Sequence, residues 1–273
     1  PHDLFMELAA MYDASLGERG LVSIYAAPVG DPALGPVAFP HRMSAESDPL
    51  APLAHHLQDS THIAYDVVTG GLTWGPMRME ASGFHGREPG ENRWTMEYGA
   101  VDSWSARITA APGRDWVTQY SLGHLHSPEA LHPAEDVLRQ TASVAFHHAW
   151  SAAEMDATAV WGRNHTIGTD VNADGYLIEA EARLRARQSI WTRIENDDRT
   201  TDLLGVAAPP EESVVGRVQA YTGGYAHRIW KSNWSALELG AQATLYATPP
   251  RLLSIYGAHP VGLAGVLHWR VGR

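Results

Sequence analysis

Apolar and polar residues alternate along most of this chain. From Asp3 to Leu16 the even positions are Leu4, Met6, Leu8, Ala10, Tyr12, Ala14 and Leu16, while Asp3, Glu7, Asp13 and Ser15 fall on odd ones. A period of two puts one set on each face of a strand. A helix would place Glu7 and Met11 on one stripe and scatter the apolar residues.

The pattern recurs. Trp104, Ala106, Ile108 and Ala110 alternate with Ser105, Arg107 and Thr109, and Ala142, Val144 and Phe146 with Thr141, Ser143 and Ala145. Ile178, Ala180, Ala182 and Leu184 alternate with Glu179, Glu181, Arg183 and Arg185. Leu237, Leu239, Ala241, Ala243 and Leu245 alternate with Glu238, Gly240, Gln242 and Thr244, and Leu263, Leu267, Trp269 and Val271 share the opposite phase to His268 and Arg270.

This reading predicts 13 strands, near 3–16, 21–28, 62–74, 77–86, 101–111, 115–126, 136–150, 155–164, 176–185, 188–197, 214–229, 234–247 and 261–272. Strands of soluble proteins usually have about 5–6 residues, whereas a tilted strand crossing a bilayer needs about 9–11. Most of the predicted strands reach the second length.

The connections alternate between short and long. Short ones fall at 17–20, 75–76, 112–114, 151–154, 186–187 and 231–233, and long ones at 29–61, 87–100, 127–135, 165–175, 198–213 and 248–260. Outer-membrane barrels alternate in this way, with short periplasmic turns and longer external loops. A soluble sandwich or barrel, the competing all-β architecture, has no reason to. The expected fold is therefore a transmembrane antiparallel up-and-down β-barrel in a bacterial outer membrane. It is expected to form a single domain over 1–273, with 29–61 as a long external or lumen-inserted loop.

One phase carries both signs of charge: Glu7, Arg78, Glu80, Arg107, Arg139, Glu179, Glu181, Arg183, Arg193, Glu195, Arg217, Glu238 and Arg270. Such a set cannot face lipid but can line a watery lumen, where cross-strand pairs satisfy it. Trp74, Trp94, Trp104, Trp116, Trp150, Tyr176 and Trp269 lie near strand ends, as the aromatic girdles of a barrel would.

If short turns are periplasmic, residue 1 lies on the outer side and the last strand ends in the periplasm. An odd strand count conflicts with the even counts of bacterial single-chain barrels, so at least one strand is expected before Pro1.

Composition narrows the function. The 273 residues carry a net charge of −11, and no basic block is available for phosphate contacts, so nucleic acid is not an expected partner. Of the 20 basic residues only Lys231 is lysine, and Cys is absent, which removes disulfides and thiolate metal sites. No run approaches the ~20 apolar residues of a membrane-spanning helix.

Several blocks resemble a family of hypothetical bacterial outer-membrane β-barrel proteins. They are Pro1-His2-Asp3-Leu4-Phe5-Met6-Glu7-Leu8-Ala9-Ala10, Pro32-Ala33-Leu34-Gly35-Pro36, His55-His56 with Asp59-Ser60-Thr61-His62, Gly86-Arg87-Glu88-Pro89, and Ser121 through Pro128 with Gly123-His124-Leu125. The resemblance covers most of the chain. It implies upstream strands bringing the barrel to about 16, the size of a porin, and an association with metal resistance.

Candidate chemistry is sparse. His41, His55, His56 and His62, with Asp48 and Asp59 nearby, are the candidate metal set, since imidazoles suit Zn or Cu. Adjacent His55 and His56 would point to opposite sides of an extended chain, so hydrogen bonding within a folded loop is the plainer expectation. That loop holds five prolines, and inserted into a lumen it would constrict a pore. Ser60 with His62, or Ser121 with His124, could form a nucleophile–base pair, without a recognisable nucleophile motif. Asp170, Asn172 and Asp174-Gly175 resemble the start of a calcium loop, but Glu179 is misplaced for an EF-hand and a turn at Asn-Ala-Asp-Gly is expected instead.

Three functions remain in view. The leading one is a porin-like channel for small solutes or ions, with outer-membrane lipid around it and a homo-oligomer or larger membrane complex as its assembly. The others are a closed barrel that binds metal or scaffolds a membrane complex, and an outer-membrane hydrolase.

Overall fold

The computed structural model describes residues 5–60, 64–88, 92, 94, 96–129, 132–185, 187–200, 204 and 214–271. It contains 13 strands: β1 (Leu8–Leu16), β2 (Gly20–Val29), β3 (Tyr65–Trp74), β4 (Met77–His85), β5 (Ser103–Ala110), β6 (Trp116–Leu125), β7 (Val137–Ala149), β8 (Ala153–Thr166), β9 (Asn172–Leu184), β10 (Gln188–Thr200), β11 (Val214–Lys231), β12 (Ser235–Ala247) and β13 (Val261–Val271). They form one sheet in sequence order, and every pairing with a described register is antiparallel. Among the described residues no helix is long and apolar enough to cross a membrane.

All 13 expected strands are present, and their ends differ most in the first and the ninth. The first begins at Leu8, with Phe5 to Glu7 outside it and Pro1 to Leu4 outside the described residues. The ninth begins at Asn172 rather than 176, so Asn172-Ala173-Asp174-Gly175 is strand and not turn. The reason lies across the ladder. Arg163 of β8 donates Nε to Asp174 Oδ1 at 2.8 Å and Nη2 to Oδ2 at 3.0 Å, and Trp161 Nε1 donates to Oδ1 at 3.1 Å. These bonds extend the pairing past residues whose own preference is a turn.

Burial along the strands is the reverse of that in a water-soluble protein. Leu239, Leu267 and Leu263 are 54%, 64% and 81% exposed, while Glu179 and Arg193 are 1% and 2% exposed. Charged side chains are almost never fully buried unless paired, and long apolar stripes facing water are aggregation-prone. Both features are at home where the outer face meets lipid and the inner face is polar.

Contacts divide the chain into two compact units, Pro1–Ala38 with His56–Ser143 and Trp161–Asp174, and Phe39–His55 with Val144–Val160 and Gly175–Arg273. In the first, Leu34 of the β2–β3 connection packs with Ala27, Ala64, Val67, Phe84, Leu125 and Val137. In the second, Trp191 packs with Ala226 and Val266 and donates its indole N–H to Gln242 Oε1 at 2.5 Å. Gly224 makes room for that indole, since a Cβ there would lie 2.0 Å from Trp191 Cε2.

Candidate functional site

The β2–β3 connection is held at many points by side chains of the strands. Prolines at 32, 36, 40, 49 and 52 forbid regular helix, and only short turns form, at Phe39–His41, Met43–Ala45 and His55–Gln58. A chain without its own ladder must find partners for its backbone groups elsewhere. Here polar side chains of the strands supply them.

In the second unit the supports come from β9 and β10. Glu179 accepts Arg42 Nε at 2.7 Å, the Ser44 hydroxyl at 2.9 Å and Arg193 Nε at 3.0 Å. Glu181 accepts both the N–H and the hydroxyl of Ser47 at 2.8 Å. Arg193 Nη1 donates to the Leu50 carbonyl at 2.7 Å and lies 3.0 Å from Asp48 Oδ2. Glu195 accepts the Leu53 N–H at 2.5 Å, and Arg199 donates to the Leu53 carbonyl at 2.6 Å. A buried charge left alone costs several kcal/mol, so this segment satisfies the strands as much as they satisfy it.

In the first unit the supports are hydroxyls and arginines. Ala33 N–H donates to Ser82 Oγ at 2.7 Å, and Gly35 N–H donates to Ser121 Oγ at 2.8 Å. Arg107 donates to the Gly35 carbonyl at 3.1 Å, and Arg139 to the Asp59 carbonyl at 2.8 Å. Gly35 is the hinge of this arrangement. Its φ is +82, and a Cβ would lie 2.5 Å from the Gln58 carbonyl oxygen, so only glycine fits.

Eleven of the expected ionic residues occupy the same face of their strands as these supports. Besides those above, Glu80 bridges Arg78 at 2.9 Å and Arg107 at 3.0 Å, and Glu238 accepts Arg228 at 2.9 Å. Arg183 lies 2.9 Å from Asp156 Oδ2 and 3.2 Å from Glu154 Oε1, and both Arg183 and Arg270 pair with Glu46. Two expected members lie elsewhere. Glu7 is exposed ahead of β1 and accepts the Tyr25 hydroxyl at 2.9 Å. Arg217 lies on the opposite face of β11 from Val218 and Ala220, pairs with Asp198 at 2.9 Å and stacks over Tyr176.

The expected metal histidines go to separate partners. His55 Nδ1 lies 2.7 Å from the Pro52 carbonyl, His56 Nδ1 lies 3.0 Å from Glu88 Oε1, His41 is exposed, and His62 lies outside the described residues. Among the described residues His147, Glu154 and Asp156 do bring ligand atoms within 4.8 Å of one another, but Arg183 already pairs with both of those carboxylates. Ser121 is buried, with its hydroxyl 2.7 Å from Thr141 Oγ1, whereas His124 stacks on Trp104 from the other face of β6. The two therefore form no nucleophile–base pair.

Beyond the strand ends, Asp136 gathers His126 Nδ1 at 2.8 Å, His124 Nε2 at 3.2 Å and the Ser127 N–H at 3.2 Å. Desolvation pushes its carboxyl up, but the Ser127 and His126 hydrogen bonds and the two imidazole charges outweigh it and hold the carboxyl below the usual range.

The residues that reading the sequence missed, Arg42, Ser44, Ser47 and Arg199, are mostly in the connection. There no period marks which side chains turn inward.

No family model matches the sequence, and no curated protein is similar to it. Solved structures are similar in fold. OmpF of Salmonella typhi, in complex with daunomycin, aligns over 97% of this chain and 89% of its own, with a TM-score of 0.53 and 5% identity. The chain has the fold of a bacterial outer-membrane β-barrel protein. Its exposed leucine stripes and buried ionic face are the two surfaces that location requires. An anion-selective porin from Comamonas acidovorans (97% and 89% covered, TM-score 0.48, 12% identity) and the outer-membrane channel DcaP of Acinetobacter baumannii (97% and 84%, 0.48, 10%) also align.

Proposed function

We propose that this chain supplies most of the wall of an outer-membrane channel for small solutes or ions, and that residues 31–60 narrow its polar lumen. The observation behind this reading is the anchoring of the connection's backbone by Glu181, Arg193 and Glu195 in one unit and by Ser82, Ser121, Arg107 and Arg139 in the other. A paired, mixed-charge lining gives ions a route across a layer that strips them of water at great cost. Outer-membrane lipid covers the apolar face, and copies of the chain or a larger membrane complex complete the assembly.

The test is conductance of the protein in planar bilayers. Reproducible stepwise currents support the channel. Silence from protein shown to be folded and inserted overturns it. The near-complete burial of Ser47, Ala54, Gln58 and Asp59 favours a second reading in that event, a closed barrel that scaffolds a membrane complex or binds metal.

A further inference from the structure

Six of the chain's 20 basic residues, Arg183, Arg185, Arg187, Arg228, Lys231 and Arg270, line adjoining cavities at the short-turn ends of the second unit's strands. The largest concentration is in a cavity of about 470 Å³ that has the five arginines in its walls, with Glu154 and Glu238 as its only acids. These arginines gather in a chain whose net charge is −11. Asp156 and Glu46 also pair with arginines of this cavity, so the uncommitted positive charge at this mouth is that of Arg185 and Arg187.

Three of the five guanidinium groups are engaged within the protein. Arg183 pairs with Glu154 and Asp156, Arg228 with Glu238, and Arg270 with Glu46. Arg185 and Arg187 are exposed, and neither side chain has a partner among the described residues. Their backbone is nevertheless fixed on both sides. Arg185 N–H donates to the Ala152 carbonyl at 2.7 Å, and the Arg187 carbonyl accepts the Arg228 N–H at 2.8 Å. Arg185 is also held at φ +49, a left-handed conformation in which glycine or asparagine would be less strained. Two uncommitted arginines beside three paired ones offer guanidinium groups to an oxyanion, because the planar guanidinium matches such oxygens in pairs.

We infer that this arginine-lined cavity binds a small multivalent oxyanion bearing phosphate. In the channel proposed above it would gather such anions at the short-turn mouth. The cavity's charge and geometry carry the inference whether or not the lumen conducts. The phosphate can belong to a dissolved solute or to a lipid head, and the two sources are separable.

The test is isothermal titration of the folded protein with inorganic pyrophosphate in an uncharged, phosphate-free detergent. The expected result is saturable binding that weakens with salt and falls at least tenfold in an R185A/R187A variant, with R114A, at a short turn of the other unit, unchanged. Both variants are checked for folding by circular dichroism. Competition by phosphatidic acid added to the micelles would assign the site to a lipid head, and its failure to compete would assign it to a dissolved solute. Absence of saturable binding, or binding indifferent to R185A/R187A, overturns the inference. Because the readout is heat and not current, its failure is distinct from failure of the channel reading.

Discussion

The Glu181 carboxylate takes two hydrogen bonds from one residue, the Ser47 N–H on Oε2 and the Ser47 hydroxyl on Oε1, both at 2.8 Å. One strand side chain thus sets both the backbone position and the rotamer of a residue 134 positions away. A hydrogen bond to a charged group contributes about 1.5–3 kcal/mol. Glu181→Ala removes both and leaves the Ser47 N–H buried without them. We expect local stability of the 42–50 segment to drop by about 2 kcal/mol, or about thirtyfold faster amide exchange. Hydrogen exchange on the folded protein checks this. Unchanged protection there would mean that the segment is held by its other contacts.

The connection as a whole is expected to limit current. Replacing residues 42–53 with a short Gly-Ser linker removes the groups that face Glu179, Glu181, Arg193 and Glu195. Single-channel steps should become larger and less ion-selective, because freed charges and water would occupy the space. Steps of unaltered size would show that these residues do not narrow the path.

Gly224 is expected to tolerate no side chain. A Cβ would lie 2.0 Å from Trp191 Cε2, and the indole cannot retreat without losing its bond to Gln242. Overpacking of this kind costs about 1–3 kcal/mol. Gly224→Ala should lower the urea midpoint of the refolded protein, whereas Gly223→Ala, with open space at its Cβ, should alter it far less.

Acid should loosen the β6–β7 connection. The Asp136 carboxyl is held below its unfolded range by Ser127 and His126. Its contribution is therefore complete above the ordinary carboxylate range and is lost as pH falls through the lowered folded value. Protection of the Ser127 amide, corrected for intrinsic exchange, should fall over that window. In Asp136→Asn the protection should be weaker at neutral pH and should lack the acid step.

The sequence alone determined the strands, their order and the sign of each face. Alternation is local, so Glu179, Glu181 and Arg183 show a shared face opposite Ile178 and Ala182 without reference to any other part of the chain. Even so, local preference was overruled at Asn172–Gly175, where Arg163 and Trp161 bind Asp174 across the ladder. It also misplaced Arg217, whose partners Asp198 and Tyr176 lie on the other face. Only the tertiary structure decided what covers the ionic face. Ser47, Leu50 and Leu53 meet Glu181, Arg193 and Glu195 across more than 130 residues, and an irregular connection has no period to announce such partners. The gathering of Arg185, Arg187, Arg228 and Arg270 around one cavity is likewise a product of strand register. Charges distant along the chain become neighbours only when the ladders align them.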